Sequence, residues 1–294
     1  MKNTLYKAYK FSNTWTGTIV IVLFVIFFIA QAFRIPSGSM KDSLLIGDHL
    51  FAKKFAYGIP MPHLPFIEMS IMPWSDSLRL FDGDTPKRGD IVIFRYPKNP
   101  KQHFVKRCFA LPEDEVLFTD KDEVYLRPHE GDLFIQKNYP KEKIVTLMGK
   151  LWVKSPMAHQ HKGIHNDANH NIYEDYLQIF LSEQNAVNMQ PLYVKELSIQ
   201  YNFPFNAFYK KVSEKEYYMI GDNRDHSNDS RFWGGVPYDN IEGTPWFIYF
   251  SIDENWEIRW DRVGKTPTDL EQSPYLDKAR EERIRTDKDY HGIT

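Results

Sequence analysis

The longest uninterrupted apolar pattern lies near the start of the chain. No charged side chain occurs from Phe11 to Phe33, and every residue from Ile19 to Ile29 is apolar. At about 1.5 Å rise per residue, a helix over 11–33 reaches across the roughly 30 Å hydrocarbon layer, so this stretch predicts a transmembrane anchor. Lys2, Lys7 and Lys10 precede it and no acidic residue appears before Asp42. That asymmetry puts residues 1–10 in the cytoplasm and everything after Arg34 outside. The competing reading is a cleavable signal, because Ala30-Gln31-Ala32 fits a small-x-small cleavage pattern. The length of the apolar run and the lack of a helix breaker before Ala30 favour the anchor. No second segment of comparable length follows, which predicts a single-pass protein.

Beyond the anchor the pattern changes to short apolar runs punctuated by turn residues. Ile91–Tyr96 before Pro97, Phe104–Phe109 before Pro112, and Asp122–Leu126 before Pro128 read as strands of a core over 34–128. From 129 to 212 the chain becomes polar, with weak apolar periodicity, as expected of an inserted subdomain. Strand-like runs return at Glu216–Ile220, Pro245–Phe250 and Trp256–Trp260, giving a second part of the core over 213–263. Residues 264–294 mix charges of both signs, as in Asp277–Arg285, and predict a solvated helix or a disordered tail. The exported part is therefore mainly β.

Composition narrows the class. The chain has 294 residues, 42% apolar and 26% charged, enough for one large core or two small ones, and a mean hydropathy of −0.50 excludes a polytopic membrane protein. With 37 basic and 39 acidic residues, no single-sign field points to nucleic acid, and no nucleic-acid partner is expected. Cys108 is the sole cysteine, so an intrachain disulfide is impossible.

Three segments carry candidate chemistry. Pro36-Ser37-Gly38-Ser39-Met40 sits just past the anchor; serine beside glycine is ordinarily a turn, but a serine here becomes a nucleophile if a base is at hand. In Phe104–Phe109 a strand's period of two puts Phe104, Lys106 and Cys108 on one face, leaving a lysine between apolar neighbours. Burial there would lower the lysine's pKa and make it a base near neutral pH; snorkelling to water past the strand edge is the alternative. The densest polar stretch is Gly221-Asp-Asn-Arg-Asp-His-Ser-Asn-Asp-Ser-Arg231. Within it a Ser227 hydroxyl could orient the Lys106 amine, and an Asp229–Arg231 pair could hold the loop. A calcium loop fits poorly, because the arginines oppose a cation and no acidic residue occupies the twelfth position. His159, His161, His165 and His170 read as a solvated loop rather than a metal site, and nothing calls for a cofactor.

Taken together, Pro36–Met40 just after an N-terminal anchor, Arg88–Phe94, Lys106-Arg107 and Gly221–Arg231 resemble, in order and spacing, the bacterial type I signal (leader) peptidases. The likeness is concentrated at 33–60, 88–117 and 217–237. It implies a large antiparallel β catalytic core with a variable subdomain inserted before Gly221, and an enzyme that removes N-terminal signal peptides from exported preproteins after Ala-x-Ala sites. By this resemblance Ser39 is the nucleophile and Lys106 the general base of a Ser-Lys dyad. The Ser39 N–H and the Ser37 hydroxyl form the oxyanion hole, Ser227 orients Lys106, and Asp229 and Arg231 structure the site. Phe33, Ile35, Pro36, Met40, Leu44, Leu50, Ile93, Phe104 and Val105 fall at positions near the pockets for small side chains. The implied location is the outer face of the bacterial cytoplasmic membrane, with the lipid bilayer and preproteins as partners.

The stretch after the lysine departs from the family. Ala110 and Glu113 stand where the family usually has glycines, and a turn needing positive φ at Glu113 would be strained. Two alternatives remain. One is a dedicated Ser-Lys processing peptidase with a single substrate, of the conjugation or pilin type. The other is an inactive anchored β-rich binding protein.

Overall fold

Period-two burial is plainest in Asp48–Lys53, where Asp48, Leu50 and Ala52 turn inward and their neighbours outward. The computed structural model of the chain describes residues 2–61, 63–64, 69–70, 79–166, 170–183, 186–197, 201 and 203–282. Its larger strands begin with β1 (Ala30–Arg34), β2 (Asp48–Lys53), β3 (Ile91–Tyr96), β4 (Asn99–Ala110), β5 (Glu115–Thr119) and β6 (Val124–Arg127). They continue with β7 (Ile144–Leu147), β8 (Lys150–Lys154), β9 (Gln190–Leu192), β10 (Ala207–Lys211), β11 (Glu216–Ile220), β12 (Val236–Pro237) and β13 (Ile241–Ser251).

Two sheets result. The first runs β1-β2-β13-β3-β4-β11-β12 and the second β7-β8-β6-β5-β10-β9, with antiparallel neighbours throughout. The expected β-rich core is thus present, but the division between sheets falls near Asp114 rather than at 129. The β5–β6 hairpin sends Val116, Phe118, Val124 and Leu126 into one core with Phe208 and Tyr173, Tyr176 and Leu177 of helix α3 (Ile172–Ser182). A strand pattern looks the same whichever sheet receives it.

The N-terminal expectation needs correction. Helix α1 (Lys2–Ser12) stops before Asn13, and Thr14 caps a separate helix α2 (Trp15–Phe28) by accepting the Gly17 N–H. Its 14 residues extend about 21 Å, and no helix among the described residues is long and apolar enough to cross a membrane. Residues 30–33, assigned to the anchor from hydropathy, instead form β1 together with Arg34, with Phe33 opposite Leu50 and Arg34 opposite His49. Hydropathy alone does not distinguish the end of a lipid-facing helix from an apolar edge strand.

The charged tail is also more ordered than its composition suggests. Thr266 and Asp269 cap helix α4 (Pro267–Leu270) reciprocally. Leu270 and Tyr275 then join the core formed by Ile35, Met40, Leu44, Leu50, Ile93 and Ile248. Residues 275–282 are helical and bury Leu276 and Ala279; the rest of the predicted tail lies outside the described residues.

Glu113 does take the left-handed conformation, at φ 68°. The turn holds because the Glu113 N–H donates to Val212 O at 3.1 Å and its carboxylate pairs with Lys211. Ala110 completes β4, fully buried opposite Tyr218. Both glycine replacements are accommodated without interrupting β4.

Candidate active site

Ser39 lies on a single 3-10 turn, Gly38–Met40, pinned from below by the buried side chains of Met40 and Leu44. From the other side Asn223 fixes the same turn: its N–H donates to Ser39 O at 3.1 Å and its Nδ2 to Gly38 O at 3.3 Å. Asn223 follows directly from β11, so the polar 221–231 loop is what sets the height of the serine.

Lys106 comes from the middle of β4. Its Nζ lies 2.5 Å from Ser39 Oγ and 5.4 Å from the Phe104 ring centre. The snorkelling alternative fails, since Lys106 is only 4% exposed. Burial lowers its pKa to about 8, opposed by the negative charges of Asp229 and Asp222 and assisted by Arg231. A lysine near its titration midpoint, against a serine hydroxyl, has the arrangement that general-base activation requires.

Ser37 is exposed and its Oγ stands 3.4 Å from Ser39 Oγ, at the rim of the site. Ser227 is buried beneath it. A Cβ on Gly221 would meet Ser227 Oγ at 2.3 Å and Ser39 O at 2.5 Å, so both flank the same small space above the glycine. Among the described residues Ser227 Oγ makes no hydrogen bond to Lys106; its hydroxyl instead favours the charged form of Asp229. That glycine gives a direct test. Gly221→Ala, with its methyl inside both contacts, is expected to lower kcat by about 100-fold while leaving the fold intact, measured by steady-state kinetics beside circular dichroism.

Asp229 and Arg231 form the buried frame of the loop. Arg231 donates through Nε and Nη2 to the two Asp229 oxygens at 2.9 Å each, and through Nη2 to Arg224 O at 2.6 Å. Asp229 also accepts the Gly221 and Arg231 N–H groups. Burial disfavours its charge, but Arg231 and these donors more than offset that, and the Asp229 pKa is lowered.

Of the nine predicted pocket residues, seven converge. Ile35, Met40, Leu44, Leu50 and Ile93 form one buried cluster, with Phe33 and Val105 packed on it. Phe104 instead joins the cluster on the other face, stacking on Tyr96 at 4.7 Å, and Pro36 is exposed. Phe33 meets His103 edge-on at 5.2 Å. β11 pairs with β4 only from Arg107 onward, so the 99–106 stretch of β4 has strand pairing on its β3 side alone among the described residues.

The histidines are not a solvated loop. His159 is exposed, but His161 lies 3.0 Å from Glu271, His165 3.4 Å from Asp42 and His170 3.0 Å from Asp175. A metal-like grouping of Asp114, His129 and Glu130 occurs elsewhere. There the Arg88 guanidinium already pairs with both carboxylates, at 2.6 and 2.7 Å, and supplies the positive charge an ion would bring.

Sequence reasoning missed Arg107, Asp222 and Ser43 as part of the site. Arg107 donates to Asp222 through Nε at 2.7 Å and Nη2 at 2.6 Å, and Ser43 Oγ donates to Asp222 at 2.5 Å. The signal was present, since Arg107 adjoins the lysine and Asp222 opens the polar block.

Comparison with known proteins places the chain in a family. A family model described as signal peptidase, peptidase S26, matches residues 9–250. Signal peptidase I proteins from two Helicobacter pylori strains are 43% identical over 289 residues, covering 91% of this chain and 96% of theirs, and 42% over 296 residues, covering 94% and 98%. Signal peptidase I of Pseudomonas aeruginosa is 31% identical over 252 residues, covering 82% of this chain and 72% of its own.

Proposed function

The chain belongs to the signal peptidase family, peptidase S26, and we propose on that footing that Ser39 and Lys106 are its nucleophile and general base. The protein is a serine endopeptidase that removes signal peptides from exported preproteins. The observation that carries the assignment of residues is the buried 2.5 Å contact between Lys106 Nζ and Ser39 Oγ.

In this reading neutral Lys106 takes the Ser39 proton as Oγ attacks the carbonyl after a small-x-small site. It then gives that proton to the leaving amine, so the signal peptide remains as an ester on Ser39. Water, deprotonated by Lys106, releases it and restores the serine. The Ser39 N–H and the Ser37 hydroxyl hold the negative oxygen of the tetrahedral intermediate. Ser227 orients the lysine as the loop tightens around substrate. The preprotein enters as an extended strand along residues 99–106 of β4, where its backbone finds hydrogen-bonding partners. Its small side chains seat against the Ile35 cluster.

The location at the outer face of the bacterial cytoplasmic membrane is part of the same proposal. Supporting it is the surface of α2, where the side chains from Ile19 to Val25 are exposed and apolar. Trp246 and Tyr249, exposed on β13, add interfacial aromatics. Held at the bilayer surface, enzyme and preprotein are confined together, which raises their effective concentration.

The pH dependence tests the base. Because the active form is neutral Lys106, kcat/KM rises with pH through about 8 and falls on the acid side, with roughly a tenth of the enzyme competent one unit below the midpoint. A flat profile across that range contradicts a lysine base. Running the assay on several unrelated preproteins also separates a general signal peptidase, which cleaves them all, from a dedicated one.

A further inference from the structure

Glu271 reaches into the catalytic core from the C-terminal segment. The capped turn of α4 ends on it, and Leu270 immediately before it is fully buried against Ile35 and Met40. Its carboxylate touches the two segments that carry the reacting side chains. One oxygen accepts from Arg107 Nη2, next in sequence to Lys106, and lies 3.3 Å from Ser43 Oγ, four residues after Ser39. The other lies 3.0 Å from His161 Nδ1.

Arg107 explains why this contact matters. Guanidinium has five N–H donors; here four meet carboxylate or carbonyl oxygens and the fifth faces His161 Nδ1. Nε and one Nη2 hydrogen go to Asp222, and the other Nη2 hydrogen goes to Glu271. The Nη1 group meets Gly89 O at 2.7 Å and His161 Nδ1 at 3.0 Å. The Arg107 side chain is 3% exposed, so a missing partner is not replaced by water without rearrangement. Four separate parts of the chain thus fix one side chain, and its backbone neighbour on β4 is Lys106.

We propose, resting on the Ser39–Lys106 reading, that Glu271 is a positioning residue: through Arg107 and Ser43 it holds Lys106 and Ser39 in register, making the C-terminal segment part of the catalytic apparatus. No group on Glu271 meets the substrate. Its loss loosens the register of base and nucleophile, so it lowers turnover and not binding.

The test compares Glu271→Ala, Glu271→Gln, Leu276→Ala and Lys106→Ala in the full chain, with a preprotein substrate. Leu276 is buried in the same segment but lies outside the network, so Leu276→Ala controls for general destabilisation. Glu271→Ala is expected to reduce kcat by about 10- to 100-fold with KM little changed. It is also expected to move the acid limb of the pH profile, because Arg107 then holds Asp222 less firmly and the Asp222 charge helps set the Lys106 pKa. Glu271→Gln keeps an acceptor oxygen for Arg107 and is expected to fall between wild type and Glu271→Ala. Leu276→Ala is expected to lower the melting temperature alone, with kcat and the acid limb as in wild type below its transition. The proposal is overturned if folded Glu271→Ala, or Glu271→Gln should the alanine variant not fold, has wild-type kcat and an unmoved acid limb. It is also overturned if Glu271→Ala and Leu276→Ala lose activity only in step with their melting temperatures. An active Lys106→Ala would remove the dyad itself, whereas an inactive Lys106→Ala beside a wild-type Glu271→Ala would remove only the role of Glu271.

Discussion

Lys106→Ala lowers kcat by about 10³-fold or more while leaving KM close to wild type. Without the amine, the proton of Ser39 has no acceptor at the 2.5 Å position, and the hydroxyl reverts to a poor nucleophile. The binding cluster around Ile35 and Leu50 does not include Lys106 and survives the change. Lys106→Arg is expected to be equally inactive, because a guanidinium stays protonated in proteins and cannot serve as a base. Near-normal turnover by either variant, in protein that melts as wild type does, contradicts the dyad.

The second large effect is on stability. Arg231→Met leaves Asp229 buried with its partner gone, a loss of about 3–5 kcal/mol and a fall in melting temperature of about 10 °C. The sign of its pH dependence follows from the lowered Asp229 pKa. A carboxylate held below its unfolded value adds stability that is present above that value and is lost as pH falls through the folded one. In the variant that contribution is missing, so the gap from wild type is widest near neutral pH and narrows under acid conditions. Calorimetry of both proteins at pH 7 and at pH values below about 3 measures it. Equal melting temperatures at pH 7 would mean the Asp229–Arg231 pair does not frame the loop.

The site was more legible in the sequence than the architecture around it. Lys106 and the 221–231 loop stand out because their residue types are costly where they stand, a lysine among apolar strand neighbours and acids and arginines crowded at a core edge, whereas Ser39 beside glycine reads as a turn until the family resemblance singles it out. The structure brings Ser39 and Lys106 within contact, with Ser227 over Gly221 at the same turn. The N-terminal boundary was not legible, because residues 30–33 satisfy equally the hydropathy of a span and the edge of a sheet, and only their pairing with β2 distinguishes the two. The division between sheets was hidden for a related reason: β5 and β6 alternate as core strands do, and long-range pairing with β10 and β8 decides their sheet. Glu271 left no local trace at all. One acid in a charged tail resembles its neighbours until the fold sets it against Arg107.

The most direct test of the central claim uses a preprotein with an Ala-x-Ala site, incubated with detergent-solubilised wild-type protein and with Ser39→Ala, the new N-terminus being read by mass spectrometry. Cleavage immediately after the second alanine by wild type, and none by Ser39→Ala, is the result expected of a signal peptidase acting through Ser39. Cleavage at that bond by the folded Ser39→Ala protein would contradict it.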